Sequence, residues 1–325
     1  MTTDTVLFAE APDGTRLPVI DLSLPQFAVP DSPQAVAELE AKALEEQRQR
    51  GPVQRAAMAV MLKAMAGQSR LIQALQDARG GFLSGTATYV MKLGADNLVP
   101  PYASEIDRRV AETPIVVAMR LRLAQVATLL SEALAPVLAG NLRPLVILEI
   151  AGGPSPDALN ALIKLDRQGL LAGRTAQILI YDLDTDGPAF AAAMLKALRT
   201  GPLRDRDIAL NHIPGNWSDR AALTQLVNGL PGDAVVAATS EGGLFEYGSD
   251  GDIVGVLEAL GSRVNIVTGS VTRDGELNRL MRREASSNVI PRGLERFGRL
   301  IAPTGWTVAR SEGAVLSDQV LLVRS

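Results

Sequence analysis

The stretch that decides the fold is Leu145-Val-Ile-Leu-Glu-Ile-Ala-Gly-Gly-Pro-Ser-Pro-Asp157. Its first six residues are almost all apolar, which is typical of a strand buried on both faces of a parallel sheet. The small residues that follow let the backbone approach a ligand closely, and Pro156 suits the first turn of a helix. With Ser155 as N-cap, the free N–H groups of that helix would form a seat for an anionic group. We therefore predict a buried strand, a ligand-binding turn and a helix.

Downstream of this stretch, short β-rich runs alternate with helix-compatible segments. The predicted strands cover residues 145–150, 176–181, 207–211, 233–238 and 263–268, and the predicted helices cover 156–170, 187–200, 218–229, 250–261 and 274–300. This alternation predicts right-handed βαβ crossovers and a doubly wound, mainly parallel sheet in an α/β fold. Two further runs, 307–310 and 319–323, lie too close together for a crossover helix and predict an antiparallel pair.

The first part of the chain has a mostly helical pattern. A short mixed segment at 15–23 precedes predicted helices at about 32–50, 53–78 and 104–139. Ser32 is the predicted N-cap of the first helix, with Pro33 at its first position. The segment 82–102 contains Gly85, Gly94, Pro100 and Pro101 and is predicted to be a loop or short turns.

This change of pattern predicts two domains. Residues 1–142 would form a mainly helical N-terminal domain that covers the substrate, and residues 143–325 would form the α/β domain. Because no low-complexity linker separates them, we expect the helical half to pack on the sheet.

The composition indicates a globular protein and excludes several kinds of partner and site. Hydrophobic residues make up 47% of the 325 residues and charged residues 21%, as in globular proteins with a substantial core. The formal net charge of −4 argues against nucleic acid as a partner, because a basic surface supplies most of that affinity. The chain has no cysteine, which excludes disulfides, thiolate catalysis and cysteine-ligated metals.

Targeting signals are not evident in the sequence. The first ten residues lack a basic segment followed by an apolar one, and no apolar run reaches the length of about 18 residues that a membrane span needs. We therefore expect a cytoplasmic protein with no membrane partner. A homodimer is compatible with these features.

The turn after the first strand resembles motif I of class I S-adenosylmethionine-dependent methyltransferases, an acidic residue followed by x-G-x-G-x-G. Glu149 takes the acidic position and Gly153 that of the central glycine, while Ala151 and Ser155 replace the outer glycines. Neither G-x-G-x-x-G nor G-x-x-x-x-G-K-[ST] begins here, which argues against a dinucleotide or P-loop site. The alternative is an ordinary tight turn between strand and helix.

The resemblance covers about residues 143–325 and extends to the order of elements, including the antiparallel ending. It implies a methyltransferase-type Rossmann-like fold with S-adenosylmethionine as cofactor and S-adenosylhomocysteine as product.

The resemblance also implies positions around the nucleotide. Asp182 would accept the ribose hydroxyls, with Asp184 as the alternative, and Leu183 would lie against adenine. Asn216 would read the adenine edge, and Trp217 would cover the ring or belong to the core. The implied cofactor contacts are Glu149, Ala151, Gly152, Gly153, Ser155, Asp182, Leu183, Asn216, Trp217 and Ser240.

Two side chains are candidate catalytic bases. His212 is the only histidine, and its ordinary pKa suits proton transfer near neutrality. Glu241 follows the fourth strand, where motif IV of the family meets the methyl donor and the substrate. The alternatives are a surface or packing histidine and a capping or cofactor-positioning acid. A metal would need a cluster of oxygen ligands, to which Asp250 and Asp252 could contribute. Ser249 and Asp250 fit the start of the next helix better, so we expect no metal.

The predicted substrate contacts lie outside the nucleotide site. Tyr89, Lys92 and Tyr102 lie in a segment that mixes apolar, aromatic and hydroxyl groups, and Tyr247 follows Glu241; each is weighed against simple packing. An arginine-rich segment could bind an acidic substrate or form a solvated face: Arg282, Arg283, Arg292, Arg296 and Arg299.

Together these features predict an S-adenosylmethionine-dependent methyltransferase that acts on a small molecule, at a hydroxyl or carboxyl group. The alternatives are a nicotinamide-dependent Rossmann oxidoreductase and an inactive methyltransferase-like binding scaffold. The missing dinucleotide motif and the antiparallel ending disfavour the first, while the degenerate motif I supports the second.

Overall fold

The computed structural model describes residues 5–51, 54, 64–78, 83–282 and 288–324. The strands are β1 (Phe8–Glu10), β2 (Arg16–Pro18), β3 (Leu145–Ile150), β4 (Thr175–Asp182), β5 (Asp207–Pro214), β6 (Val235–Ser240), β7 (Ile266–Thr272), β8 (Trp306–Gly313) and β9 (Ser317–Arg324). The α-helices are α1 (Pro33–Arg48), α2 (Arg70–Asp77), α3 (Gly85–Lys92), α4 (Glu105–Ala111), α5 (Pro114–Leu138), α6 (Pro156–Arg167), α7 (Asp186–Leu198), α8 (Arg220–Asn228), α9 (Leu244–Tyr247), α10 (Asp250–Leu260), α11 (Glu276–Arg282) and α12 (Gly293–Ile301). Short 3₁₀ turns lie at Pro25–Phe27, Ala66–Gln68, Ala95–Asn97 and Ala302–Thr304.

The large sheet has the order β5-β4-β3-β6-β7-β9-β8, and β1 pairs with β2 in a separate hairpin. β3 to β7 run parallel, while β9 lies antiparallel between β7 and β8. This confirms the predicted doubly wound α/β fold with a reversed strand near its end. The chain leads outwards from β3 to β5 and then returns to β6 on the other side of β3. Ligands of open α/β sheets bind at such a switch point, so the loops after β3 and β6 are the place to look for a site.

Both faces of the sheet are covered by helices. Ile147 and Ile180 face a core formed with α5, α6 and α7. Val146 and Leu148 face a second core formed with α8, α10 and α12. Because β3 and β6 are buried at every position, their sequences are nearly continuous apolar runs.

The N-terminal half contributes to the first of these cores. Leu17, Tyr89 and Leu130 belong to the same buried cluster as Ile147 and Ile178 of the sheet. α5 packs on α6, β7 and β9, and β1 contacts α7. The predicted boundary at residue 142 therefore crosses a continuous hydrophobic core.

The long helix α5 is the central element of this packing. Within the described part of the chain, it alone is long and apolar enough to cross a membrane, but 61% of its most apolar window is buried inside the protein. Its apolar side chains, such as Leu121, Leu129 and Leu130, are completely buried. Its composition is thus that of a core helix.

Two predicted helices prove to be pairs of helices. The segment 104–139 is interrupted between α4 and α5, where Pro114 has no backbone N–H to continue the first helix. The segment 274–300 contains α11 and α12, and α12 starts at Gly293, whose φ is +62°. A left-handed residue cannot continue an α-helix, so the long predicted helix was wrong.

The segment 82–102 contains the helix α3, which the prediction of a loop missed. Ser84 caps α3 by accepting a hydrogen bond from the Ala87 N–H at 3.2 Å. Tertiary packing outweighs the low helix propensity of Gly85, because Val90 and Met91 are buried. Of the helix predicted over 53–78, residues 53 and 55–63 lie outside the described residues, as do Gly80, Gly81 and Phe82.

Candidate functional site

The glycine loop, residues 151–155, has a left-handed backbone at three alternate positions. Ala151, Gly153 and Ser155 have φ values of +53°, +52° and +56°. Such a conformation costs a residue other than glycine roughly 1–3 kcal/mol, so the surroundings must hold Ala151 and Ser155 in place. These are the three positions where the family pattern has glycine. The loop therefore keeps a glycine-type backbone although two of the glycines are replaced.

Glu149 supports this loop from within the protein. Its side chain is fully buried, and Oε2 accepts a hydrogen bond from Ser155 Oγ at 2.8 Å. Gly152 lies so close that an added Cβ would be 2.1 Å from Glu149 Cγ, so only glycine fits there. Ser155 is the N-cap residue of α6, as predicted, but its hydroxyl binds Glu149 instead of a backbone amide of the helix.

Asp157 places a second buried carboxyl group beside Glu149. Its Oδ2 accepts a hydrogen bond from Thr239 Oγ1 of β6 at 2.8 Å, which connects the start of α6 to β6. Burial raises the pKa of both carboxyl groups, and the charge of Asp157 raises that of Glu149 further. A hydrogen bond between the two side chains raises the pKa of Glu149 as well. Glu149 Oε1 and Asp157 Oδ1 have no other hydrogen-bond partner among the described residues, so the two acids can share one proton.

Asp182 joins the end of β4 to the glycine loop. Its Oδ2 accepts a hydrogen bond from the Gly153 N–H at 2.8 Å, and its Oδ1 accepts one from the Asp184 N–H at 2.9 Å. Asp184 in turn accepts hydrogen bonds from the backbone of α7, including the Gly187 N–H at 3.1 Å. Leu183 is 67% exposed beside these acids. The end of β4 thus presents two carboxylates and an apolar surface at the loop.

The loop after β5 is held mainly by its own polar groups. Asn216 Oδ1 accepts hydrogen bonds from the N–H and the hydroxyl of Ser218, at 3.0 and 2.8 Å. Tyr181 donates to the Asn216 carbonyl oxygen at 3.1 Å, and its ring leaves no room for a Cβ on Gly215. Trp217 packs partly against the second core. The predicted adenine contacts of Asn216 and Trp217 stay predictions.

His212 lies on the edge strand β5, and its Nε2 is 2.9 Å from the carbonyl oxygen of Asp182. This contact supports the backbone at the end of β4. It directs the imidazole to the loop that carries the nucleotide acids and not to Glu241. The geometry therefore favours a packing role over the predicted catalytic base.

The loop after β6 contacts the glycine loop. Ser240 donates to the Ile150 carbonyl oxygen at 2.8 Å and accepts from the Leu244 N–H at 2.9 Å. Gly243 lies so close that an added Cβ would be 2.9 Å from the Ala151 carbonyl oxygen. Since Ser240 is buried and its hydroxyl makes two internal hydrogen bonds, that hydroxyl joins the two loops, and the predicted cofactor contact of Ser240 stays a prediction.

Glu241 is the centre of a buried ion cluster that consists of Lys92, Arg122, Glu241 and Glu246. Lys92 Nζ pairs with Glu241 Oε2, and Arg122 Nε pairs with Glu241 Oε1 at 2.5 Å. Arg122 Nη1 also pairs with Glu246 Oε2 at 2.9 Å. The four side chains are between 2% and 12% exposed. The cluster connects α3 and α5 of the N-terminal half to the switch point.

The cluster argues against the predicted base role of Glu241. Burial alone would raise its pKa, but the charges of Arg122 and Lys92 outweigh burial and lower the pKa of Glu241. Both carboxylate oxygens are engaged, so the group is a weak base. Lys92, predicted to contact substrate, is occupied by this pair. Tyr247 lies beside Arg122, and burial followed by the charge of Glu246 raises its pKa.

The other predicted substrate tyrosines lie elsewhere. The Tyr89 hydroxyl accepts from the Ile20 N–H at 2.7 Å and donates to the Pro18 carbonyl oxygen at 2.9 Å, and the side chain is 1% exposed. Tyr102 packs partly against the first core, and burial raises its pKa. Tyr89 is thus a packing residue that ties α3 to β2, which corrects its predicted substrate role.

The arginine-rich segment is mostly structural. Arg292 is buried and binds the Phe245 carbonyl oxygen at 3.0 Å and Asp250 Oδ1 at 2.8 Å. Arg296 pairs with the same Asp250 at 2.9 Å, and Arg299 pairs with Glu295. Arg283 lies outside the described residues. These pairs disfavour the predicted acidic-substrate role for this segment.

The predicted helix start at Asp250 is present. Ser249 and Asp252 form a capping box at the N-terminus of α10. In the part of the chain that the structure describes, no group of three or more histidine or carboxylate side chains could hold a metal ion.

Three residues of this site were missed by the sequence analysis. Asp157 follows the quoted turn directly, so its acidic side chain next to a small-residue loop was the available signal. Arg122 and Arg120 both interrupt a mainly apolar helical stretch, so the sequence marks the two arginines without distinguishing them. Glu246 had no comparable signal, since only the fold brings it to Arg122.

Comparisons with known proteins give distant structural similarity only. No family model and no curated protein sequence matches the chain. Magnesium protoporphyrin IX methyltransferase from Synechocystis PCC 6803 with bound S-adenosylhomocysteine is 14% identical, with a TM-score of 0.45 over 65% of this chain and 87% of that chain. Human N-acetylserotonin methyltransferase in complex with S-adenosylmethionine is 12% identical, with a TM-score of 0.37 over 66% and 58% of the two chains.

A third similar structure is N,N-8-amino-8-demethyl-D-riboflavin dimethyltransferase from Streptomyces davawensis. It is 16% identical, with a TM-score of 0.40 over 74% of this chain and 67% of that chain. Because all three similarities are distant, the function is argued from the geometry of the site itself.

Proposed function

We propose that this protein is an S-adenosylmethionine-dependent methyltransferase acting on a small molecule. The observation that carries the proposal is the position of Asp182, which binds the Gly153 N–H while remaining partly exposed. Beside it lie the exposed side chain of Leu183 and the partly exposed backbone of the glycine loop at Gly152. An acid for ribose hydroxyls, an apolar surface for adenine and a closely approachable backbone are what an adenosine needs.

The same contacts disfavour a nicotinamide dinucleotide. A pyrophosphate binds to free backbone N–H groups of such a loop. Here the Gly153 N–H is donated to Asp182, and the Ser155 N–H is donated to the Gly152 carbonyl oxygen at 2.9 Å. Among the described residues, the carboxylates of Asp182 and Asp184 accept hydrogen bonds from backbone N–H groups and pair with no cation, so the edge also repels an anionic ligand. S-adenosylmethionine, which carries a positive sulfonium, suits it better.

The residues present fit the adenosine part of the cofactor, because the partly exposed carboxylate of Asp182 and the exposed side chain of Leu183 lie at the same edge of the glycine loop. We propose that Gly152, Asp182 and Leu183 hold adenosine. When bound, the cofactor supplies a methyl group that is already activated on sulfur. The protein then needs mainly to align donor and acceptor, which can contribute about 7–11 kcal/mol of the barrier.

For the acceptor we propose an oxygen atom, and a carboxylate in preference to a hydroxyl. A hydroxyl must lose its proton to a base in the reaction, whereas a carboxylate is already a nucleophile. Glu241 is held ionised by two cations, and His212 contacts the backbone of Asp182. Neither Glu241 nor His212 is therefore placed as a free general base at the switch point. This favours a carboxylate acceptor, which needs no base.

We further propose that the N-terminal half covers the substrate. Its helix α3 spans from the glycine loop to Glu241: an added Cβ on Gly85 would be 3.0 Å from Asp184 Oδ2 and 3.0 Å from Pro154 Cδ, and Lys92 pairs with Glu241. A cytoplasmic location is part of this proposal, and the absence of cysteine is compatible with it.

The test is calorimetric titration with S-adenosylmethionine, S-adenosylhomocysteine and NAD. We expect both S-adenosyl ligands to bind and NAD not to bind. Asp182→Asn should weaken S-adenosylhomocysteine binding by about tenfold or more, since one charge-assisted acceptor is lost. Asp207→Asn, at the other end of the neighbouring strand, is the control and should leave affinity unchanged. NAD binding without S-adenosyl binding would contradict the proposal.

An inactive binding scaffold is the second candidate. It is favoured by the ion cluster, in which Lys92, Arg122 and Glu246 fill the region where a base could act. A panel of small molecules with carboxyl, hydroxyl or amine groups separates the two. Methyl transfer to any of them supports the enzyme, while ligand binding without transfer to the whole panel supports the scaffold.

A further inference from the structure

The ion cluster of Lys92, Arg122, Glu241 and Glu246 adjoins the proposed methyl-donor site. Two residues after Glu241, Gly243 packs against the Ala151 carbonyl oxygen of the glycine loop. The charge of Glu241 also acts on Glu149 and Asp157 beneath that loop. The loop and the cluster therefore form one electrostatic environment.

The cluster is balanced, with two positive and two negative side chains. Its members are at most 12% exposed, so water and salt screen them little. Interactions between charges in such an environment are several times stronger than in bulk water. Removing one charge from the cluster therefore changes the potential felt by a ligand at the neighbouring loop.

We propose that Lys92 and Arg122 set the relative affinity of the site for S-adenosylmethionine and S-adenosylhomocysteine. This inference rests on the proposed function. The two ligands differ by one methyl group and by the positive charge on sulfur. While Glu241 is neutralised by both cations, its attraction for the sulfonium is weak. Loss of a cation leaves a net negative charge that favours the methylated donor, and loss of Glu241 leaves a net positive charge that favours the product.

The experiment measures the dissociation constants of both ligands by calorimetry for three variants. Lys92→Met should raise the ratio of the S-adenosylhomocysteine constant to the S-adenosylmethionine constant by about threefold or more. Glu241→Gln should lower this ratio by a similar factor. The double variant Lys92→Met with Glu241→Gln restores the charge balance, so its ratio should return to within about twofold of the wild type.

The opposite signs separate an electrostatic role from a structural one. A substitution that merely loosens the loop would weaken both ligands to a similar extent and would not shift the ratio in opposite directions in the two variants. Lys92→Arg keeps the positive charge and is expected to keep the ratio, and it remains informative if Lys92→Met does not fold.

Arg174→Met is the matched control for losing a buried cation. Arg174 is 3% exposed and donates to the carbonyl oxygens of Leu138 and Asn141, at 2.9 and 2.7 Å, at the opposite end of the sheet. It should leave the ratio unchanged. The inference would be overturned if the ratio shifted equally in Arg174→Met and Lys92→Met, or if it stayed unchanged in both Lys92→Met and Glu241→Gln. These results would leave the proposed function standing. A wild-type protein that binds neither ligand would overturn the proposed function and this inference together.

Discussion

The two loops at the switch point are built in opposite ways. The loop after β3 is fixed by left-handed backbone and by hydrogen bonds to Glu149 and Asp182, and exposed Leu183 lies beside it at the end of β4. The loop after β6 is fixed by side chains from distant parts of the chain, through the pairs of Glu241 with Lys92 and Arg122. One loop is thus an open, preformed surface for a ligand, and the other is a closed, charge-balanced boundary. The difference shows that backbone conformation can fix one side of a site while buried ion pairs fix the other.

Removing Arg122 should have the largest effect and tests the closed loop. Arg122→Met leaves Glu241 and Glu246 buried with Lys92 as their only cation in the cluster. Breaking a buried ion pair on one side typically costs about 3–5 kcal/mol, so we expect a loss of free energy of unfolding of that size, measured by urea denaturation. Arg48→Met, which breaks an exposed pair with Glu276, should change nothing measurable. Equal effects of the two variants would show that the cluster does not hold this loop.

Adding a methyl group at Gly152 tests the open loop. The new Cβ would lie 2.1 Å from Glu149 Cγ, so Gly152→Ala forces the loop or the buried acid to move. We expect a loss of about 1–3 kcal/mol in urea denaturation, as for other overpacked sites, together with weaker S-adenosylhomocysteine binding. Gly232→Ala is the control, because no atom lies within 4 Å of its added Cβ. Unchanged affinity in Gly152→Ala would show that the loop does not contact the ligand.

The contributions of Glu149 and Glu241 to the free energy of unfolding should depend on pH with opposite signs. The pKa of Glu149 in the folded protein is raised above its ordinary value, so folded protein binds more protons than unfolded chain above about pH 4.3. Its contribution to stability is therefore present at low pH and is lost as pH rises towards the folded-state pKa. Glu149→Gln should flatten this decline, by on the order of 1 kcal/mol per pH unit within that window.

Glu241 gives the contrasting case. Its folded-state pKa is lowered, so its contribution is present above its ordinary pKa and is lost as pH falls through the lowered value. Urea denaturation of Glu149→Gln and Glu241→Gln across acidic and neutral pH measures both. The same sign of change in the two variants would remove the electrostatic distinction between the loops.

The smallest expected effect is at Leu183, which is 67% exposed. Leu183→Ala should change the free energy of unfolding by less than about 0.5 kcal/mol, since little buried area is lost. It should weaken S-adenosylhomocysteine binding by about fivefold, equivalent to about 1 kcal/mol. Leu142→Ala is a close control, because Leu142 is also 67% exposed but precedes β3 at the other end of the sheet. Equal affinities of the two variants would argue against adenine binding at Leu183.

Much of the α/β half could be predicted from the sequence. The run 145–150 predicted β3 to the residue, and the helix predicted from residue 250 agrees with the start of α10. These features depend on local patterns of apolar and capping residues. The N-terminal half was less predictable, because α3 contains glycine and β-branched residues and is stabilised mainly by burial.

The site was predicted unevenly for the same reason. Asp182 and Gly153 were named from adjacent strand ends, and the structure brings them into contact. Glu241 and Lys92 were named separately, as a base and a substrate contact, and the structure pairs them. A sequence shows that a residue is acidic or basic, but partners 149 positions apart become visible only in the fold.

The sequence by itself determined the strand, the turn and the helix around Glu149, because apolar runs, small residues and proline act over a few neighbouring positions. It also determined the order of elements and hence the reversed strand β9. Only the tertiary structure decided which charges are buried together. Lys92, Arg122 and Glu246 come from α3, α5 and α9, and the energy of a buried charge depends on its distance to other charges and not on its neighbours in the chain.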